Sequence, residues 1–487
     1  MAERFPVVLI HGYSDKGAAF GRWKEFLTAK NYPAEEISLC NYESLTNEVT
    51  IKDIAEGFDR ALRTKAHLAT DQPFSAIVHS TGMLVIRSWL STYEARRGRL
   101  KHLIALAPAT FGSPLAHKGR SLLGALIKGN RVIGPDFMEA GDLILDGLEL
   151  GSRFTWELTD KDLLSAQPYY GSGPDSPYVY IFCGIEGYTG LHSLVNQPGT
   201  DGTVRWAGCA LNTRKITIDL SREPLAPTDG GKAAVSAPAT PDGLPESGTG
   251  PGSPSPADPG RTRVSGSRVA EDLLPMPFWP IEGKNHGTIL SEPGPILEDL
   301  VFEALQVRDA EGFAAWQQNA DDKTKLAKGK IEEWQQFVVR MVDERGDSVQ
   351  DYHLELYAVA PDGTEEPFEI ELDEHAYGAD KSFRCFHVNL TTLHPRLAAL
   401  SGHELWVRVI ASSGSTLVGY HGVKSEKFTQ GMKEMVVEGK WDAKIRLELD
   451  AKSEMKLFFP FTTTFVEIKL NRDPIPFGEG PNKLVTF

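Results

Sequence analysis

From Phe5 to about residue 220, short apolar runs alternate with stretches of helical spacing, and this limits the fold more than any other feature. Phe5 to Ile10 is apolar throughout and ends in a turn at His11-Gly12. Ala18 to Lys30 then places Phe20, Trp23, Phe26 and Leu27 on one helical face. Glu36 to Asn41 reads as a strand, Ile51 to Leu68 as a helix with Ile54, Phe58 and Leu62 inward, and Phe74 to His79 as a strand. Met83 to Glu94 follows as a helix and Leu100 to Leu106 as a strand. Strands that are apolar on both faces leave no side for water, so the predicted sheet is parallel and covered by helices on both sides.

The next strand, Tyr178 to Ile185, comes about 70 residues after Ala109, where connections in such folds take ~2–6. Amphipathic pieces at Ser121 to Ile127 and Asp142 to Leu150 predict a helical cap over residues 110–177. A strand from Lys215 to Leu220 follows. Residues 222–266 are rich in Pro, Gly, Ser and Ala, with little to bury, and read as a flexible insertion. From about Trp334 the pattern changes to period-two alternation, as in Ile445, Leu447 and Leu449 against Lys444, Arg446 and Glu448. Strands are predicted at 337–342, 352–358, 368–372, 383–390, 404–410, 443–449 and 462–470, which suits an antiparallel β-sandwich. The expected division is 1–332 for the first domain and 333–487 for the second.

A net charge of -15 argues against a nucleic-acid partner, whose phosphates need a basic surface, and against tight electrostatic binding to anionic lipid, a local patch aside. No apolar run reaches the ~18 residues needed to span a bilayer. The start MAERFPVVLIHGY lacks the layout of a cleaved signal peptide, so the expected location is the cytoplasm or an exterior reached without a leader. Cys40, Cys183, Cys209 and Cys385 match no zinc spacing and read as free thiols. No metal site is evident from the sequence, and no cofactor is expected.

The chemistry-bearing stretch is Phe74-Ser-Ala-Ile-Val-His-Ser-Thr-Gly-Met83, a strand entering a tight turn that opens a helix. This is the layout of a nucleophile elbow, which lifts a serine Oγ above the sheet's carboxyl edge. Strand and helix crowd together there, so the flanking positions need to be small. Gly82 meets that need, whereas Val78 stands where G-x-S-x-G has its first glycine. A serine after a core strand is common, and Ser80 alone proves little. The second signal is Val7-Val-Leu-Ile-His-Gly-Tyr13: Gly12 lets the backbone turn so that the Tyr13 N–H aims beside the elbow. With the Thr81 N–H it would form an oxyanion hole, in which one donor is worth ~10²–10³ in rate. His11 reads as a structural histidine pinning that loop.

Together these stretches resemble the α/β-hydrolase superfamily, in particular bacterial serine lipases and esterases with a helical lid. The resemblance covers residues 5–220 and 276–305. It implies a triad in the order Ser, Asp, His. Gly199-Thr-Asp201-Gly-Thr-Val204 is similar to the family's acid turn, and Lys284-Asn-His286-Gly to its histidine loop. The implied roles are Ser80 as nucleophile, His286 as base and then acid, and Asp201 as the group orienting the imidazole. Asp136 and Asp142 are rivals for the acid, and His79, His117 and His192 for the base. Thr110-Phe-Gly-Ser-Pro114 is similar to a turn in many lipases, and the cap after it reads as a lid over an acyl site. The sequence departs from the family at Val78 and in the length separating Asp201 from His286. The latter costs little closure entropy.

The resulting expectation is a carboxylic-ester hydrolase acting on hydrophobic acyl esters or lipids, with transient contact with a lipid surface. Two alternatives stay open: a phospholipase or acyltransferase acting on membrane lipids, and a hydrolase-like binding module without catalysis. The aromatic group Phe458, Phe459, Phe461 and Phe465 invites a membrane-insertion reading, with core packing the commoner explanation.

Overall fold

The computed structural model describes residues 4–13, 17–33, 37–42, 45, 47–66, 68–92, 98–118, 141–165, 169–171, 175–221, 263–266, 278–327, 329–400, 402–415, 417–421, 440–447 and 457–474. The first sheet contains β1 (Val7–Ile10), β2 (Ile37–Cys40), β3 (Phe74–His79), β4 (Leu100–Leu106), β5 (Tyr178–Gly184) and β8 (Phe278–Ile281). Its strand order is β2-β1-β3-β4-β5-β8, and every pairing is parallel. The central strands β1 and β3 are buried along their whole length, as their unbroken apolar runs require. Helices α1 (Gly21–Ala29), α2 (Ile51–Thr64) and α3 (Gly82–Thr92) connect the early strands. Thr50 and Asp53 form a reciprocal capping box at the start of α2, which turns Ile51, Ile54, Phe58 and Leu62 inward. Two apolar cores cover the two faces of the sheet.

β8, which the sequence pattern does not predict, contains Pro280, tolerated because the strand lies at the sheet's edge. The strand expected at Lys215 to Leu220 exists as β6 (Thr213–Asp219), but it joins a different sheet. That sheet also holds β7 (Arg263–Gly266), β9 (Trp334–Asp343), β12 (Leu372–Ala376), β13 (Phe383–Asn389), β15 (Val418–His421) and β17 (Thr463–Pro474). β17 lies parallel to both β9 and β6, while the remaining pairs are antiparallel. β7 occupies the end of the stretch read as a flexible insertion; residues 222–262 lie outside those described. A second, antiparallel sheet contains β10 (Asp351–Val359), β11 (Glu365–Pro367), β14 (Glu404–Ser412) and β16 (Lys440–Leu447).

The two C-terminal sheets enclose a core that includes Phe337, Met341, Tyr352, Val409 and Ile468. Alternation along β9 divides its side chains between two cores: Phe337, Val339 and Met341 face the second sheet, while Trp334 and Val338 join the hydrolase core. The mixed sheet is therefore a middle layer. Sequence pairing thus crosses the boundary expected at 332/333, because β6 precedes it and lies beside β17.

The stretch 368–372, expected as a strand, is instead mostly the connection between two short strands, β11 and β12, which belong to different sheets. Pro367, with no N–H to offer, stands at the end of β11, and the chain crosses to the other sheet before Leu372. Phe461 and Phe465 pack at the junction of the domains, edge-on to Phe278 and to Phe111 and Trp156. Arg214 lies over the Phe459 ring. Of the expected cap, helices Asp142–Leu148 and Arg153–Asp162 are described. They bury Ile144, Leu145, Leu148, Trp156 and Leu158, and Trp156 touches Phe383 of β13. This part of the cap is a wedge between domains. Ser121 to Ile127 and Asp136 lie outside the described residues.

Candidate active site

β3 delivers the chain to Ser80 at the carboxyl edge of the sheet, and α3 begins two residues later. Ser80 has φ +52°, a left-handed conformation that costs an L-residue energy and marks a sharp, over-determined turn. A Cβ on Gly82 would lie 2.7 Å from the Ile10 carbonyl oxygen, so only glycine fits where the helix crosses β1. Val78 is tolerated because its partners in register are Ile10 on one side and the small Ala105 on the other. The elbow is held by Ser80 N–H donating to Leu106 O at 3.2 Å and Ala109 N–H donating to Ser80 O at 3.2 Å.

His286 Nε2 lies 3.0 Å from Ser80 Oγ, and His286 Nδ1 lies 3.0 Å from Asp201 Oδ2. The geometry is satisfied by the Nδ1–H tautomer, in which Asp201 accepts from Nδ1 and Nε2 accepts the hydrogen bond of the Ser80 hydroxyl. Asp201 is fully buried. Its Oδ1 accepts the N–H groups of Thr203 at 3.0 Å and Val204 at 2.8 Å, and Cys183 Sγ lies 3.8 Å from Oδ2. Three segments far apart in sequence thus converge on one point, in the chain order Ser, Asp, His. The rival Asp142 stands instead in the cap wedge.

Gly12 abuts the elbow: a Cβ there would sit 2.8 Å from Ser80 Cβ. His11 fixes the peptide that follows. Its Nδ1 bonds to Gly12 O at 2.7 Å, and its Nε2 accepts from Tyr42 N–H at 3.2 Å, with the Tyr42 ring stacked on it at 4.2 Å. Because the peptide is planar, holding the Gly12 carbonyl also sets the direction of the Tyr13 N–H. Tyr13 itself is buried; burial and then nearby Asp142 push its phenol up to about 12, so the hydroxyl stays protonated. Thr81, the other expected donor, directly follows Ser80 and is fully buried.

Two contributors were not assigned from the sequence. Asn285 Oδ1 accepts from Gly287 N–H at 3.1 Å and Thr288 N–H at 2.9 Å, which turns the loop around His286. The asparagine before the histidine was its signal. His79 Nε2 donates to the His286 carbonyl at 2.9 Å, while the His286 N–H donates to Asp201 O at 3.0 Å. His286 is thus pinned through its own backbone on both sides. The His79 ring lies 4.8 Å from that of His286, and nothing local in the sequence says that the His286 loop packs there.

Burial, then the nearby His286, pushes the His79 pKa down to about 3. Burial likewise lowers His102 to about 4, and His387 well below its ordinary 6.5. Between those values and about 6.5 the unfolded chain binds protons that the native one refuses, so stability is full above about pH 6.5 and falls as pH drops toward 3. Each such histidine contributes a slope of about 1.4 kcal/mol per pH unit in its window. A thermal melt series from pH 7 to pH 4 is expected to show a steady fall in melting temperature, less steep in His102→Gln. An unchanged slope in that variant would contradict the assignment.

Among the described residues no group of three or more His, Cys, Asp or Glu side chains is placed to hold a metal. No described helix is long and apolar enough to cross a membrane. Cys183, Cys209 and Cys385 are buried free thiols, and Cys40 is a half-buried one.

The parallel sheet, the elbow and the C-terminal sandwich define the class: the chain has the α/β-hydrolase fold followed by a β-sandwich. No protein-family model matches the sequence, and no curated protein matches it. Among solved structures it is similar to phospholipase PlaB from Legionella pneumophila, with TM-score 0.73 and 22% identity over 99% of this chain and 98% of that one. PlaB in complex with thio-NAD gives TM-score 0.70 and 22% identity over 99% and 97%. At this identity the likeness speaks for the fold, over essentially the whole length of both chains.

Proposed function

We propose that the chain is a serine carboxylic-ester hydrolase that cleaves hydrophobic acyl esters through an acyl-enzyme on Ser80. The observation that carries this is the unbroken relay from a left-handed Ser80 through His286 to a fully buried Asp201, at 3.0 Å per link. In the first step Ser80 Oγ bonds to the ester carbonyl carbon while its proton passes to His286 Nε2. The carbonyl electrons move onto oxygen, and the Tyr13 and Thr81 N–H groups receive the oxyanion. Collapse breaks the bond to the alcohol oxygen, which takes the proton from His286. Water then repeats the sequence and frees the acid. Asp201 holds the imidazole tautomer and balances the imidazolium while it exists.

The full-length likeness to a phospholipase makes glycerophospholipids the first substrates to test. A panel of p-nitrophenyl esters, triglyceride emulsion and phospholipid vesicles separates the readings. Fatty acid released from vesicles supports the phospholipase form, and release transferred to an added alcohol supports acyl transfer. Inertness toward all three, with no reaction with a fluorophosphonate probe, would overturn the proposal in favour of a binding module.

A further inference from the structure

The acid's turn is built on the C-terminal sheet as much as on the hydrolase sheet. Thr200 and Arg205 pair across its base, Trp206 N–H donates to Gly199 O at 2.9 Å, and Asp201 stands toward the tip. Ser113 Oγ and Tyr188 OH hold the tip through Thr203, at 2.6 and 2.7 Å. The base is held differently. Gly199 has φ +70°, and a Cβ there would lie 2.7 Å from the Trp334 ring and 2.8 Å from His387, which stack on each other. Arg205 is 1% exposed and sends its guanidinium into the mixed sheet. One nitrogen meets Asp373 of β12; the other reaches Cys385 Sγ of β13 at 3.3 Å and Gln336 Oε1 of β9 at 3.4 Å.

We propose that Arg205 is a positioning residue for Asp201, and that Asp373 anchors it, which makes the C-terminal sheet a wall of the active centre. The proposal rests on the acyl-transfer reading above. A rigid planar fork that touches three strands at once fixes the base of a turn only a few residues long. The side chains of the pair are unequally placed: that of Asp373 is 54% exposed and that of Arg205 is 1% exposed. Removing the anchor's charge therefore opens no cavity, yet it leaves a buried guanidinium without its carboxylate, which costs more than the pair contributes. The turn relieves this by moving Arg205 toward water, and Asp201 moves with it. A displacement of about 1 Å at a reacting group costs up to ~10²-fold in rate.

The test compares kcat and KM for a short soluble p-nitrophenyl ester, together with the rate of fluorophosphonate labelling, in the full chain. Asp373→Asn is expected to lower kcat and the labelling rate about 10–10²-fold, with KM within about twofold. Asp373→Glu should restore most of the loss. Arg205→Lys keeps the buried charge but presents a point donor in place of a fork, so kcat should fall as well. The control is Glu374→Gln, on the same strand and paired with Arg384 at 2.8 Å, away from the acid turn. It should change the melting temperature comparably and leave kcat unchanged. Wild-type kcat in both Asp373→Asn and Arg205→Lys would overturn the proposal, as would an equal loss in Glu374→Gln. Failure of the wild type to label at Ser80 would instead overturn the acyl-transfer reading beneath it.

Discussion

Ser80→Ala is expected to lower kcat by about 10⁶-fold while leaving the melting temperature equal or higher. Removing the nucleophile of an acting triad costs about as much as removing all of it, on the order of 10⁶ in kcat. The fold should not suffer, because the hydroxyl meets only the imidazole and Ser80 is held at φ +52° by its backbone bonds to Leu106 and Ala109. Alanine removes a polar atom from a buried, strained position without changing that turn. His286→Ala should lose about as much rate, and the two losses should not add in the double variant, since both act in one step. Rates measured on the substrate that the panel selects check this. A Ser80→Ala enzyme retaining more than a few per cent of activity would place the nucleophile elsewhere.

The second large effect concerns stability. Arg87 of α3 and Asp162 at the end of helix Arg153–Asp162 are both fully buried and pair bidentately at 2.8 and 2.9 Å. Arg87 also donates to Thr110 O at 2.5 Å, and Tyr170 OH donates to Asp162 Oδ2 at 2.8 Å. Burial opposes the Arg87 charge, but Asp162 and Tyr170 together more than offset it and hold the guanidinium pKa above its ordinary value. The pair ties the helix of the elbow to the cap wedge and to the turn at Thr110. Asp162→Asn or Arg87→Met each leaves one buried group uncompensated, and each is expected to cost about 3–5 kcal/mol. The double variant should be less destabilised than the sum of the singles, by about 1–3 kcal/mol, as groups in one network couple. Denaturant midpoints for the four proteins check this; strict additivity would show that the pair does not act as a unit.

How far the sequence led depends on the kind of signal each feature leaves. β1, β3 and β5 are apolar runs, and Phe58 and Leu62 recur at helical spacing, so those elements could be read directly. Ser80 could be nominated because a strand, a serine and a glycine in succession leave a local trace, whereas Asp201 and His286 followed only from the resemblance of their turns to those of a known family. The partnership of β6 with β17 left none, since a parallel pair across some 250 residues follows from no local pattern. β8 was hidden by Pro280, and helix Leu390–Ala399 by Pro395 and its two threonines. Gly199, an apparent turn residue, proves also to be a contact site for Trp334. For the aromatic cluster after Leu457 the sequence favours core packing over membrane insertion only as the commoner case, and the neighbours Phe278 and Phe111 decide for the core at Phe461 and Phe465.

These features make one physical claim: the elbow, the acid turn and the histidine loop form a single acyl-transfer centre whose nucleophile is Ser80. Its most direct test is the intact mass of the protein quenched in acid milliseconds after mixing with excess p-nitrophenyl ester, followed by peptide mapping. Expected are a burst of nitrophenol, a mass gain of one acyl group per chain, and that group on the peptide carrying Ser80. A steady release with no acylated protein, or an acyl group mapped to another residue, would contradict it.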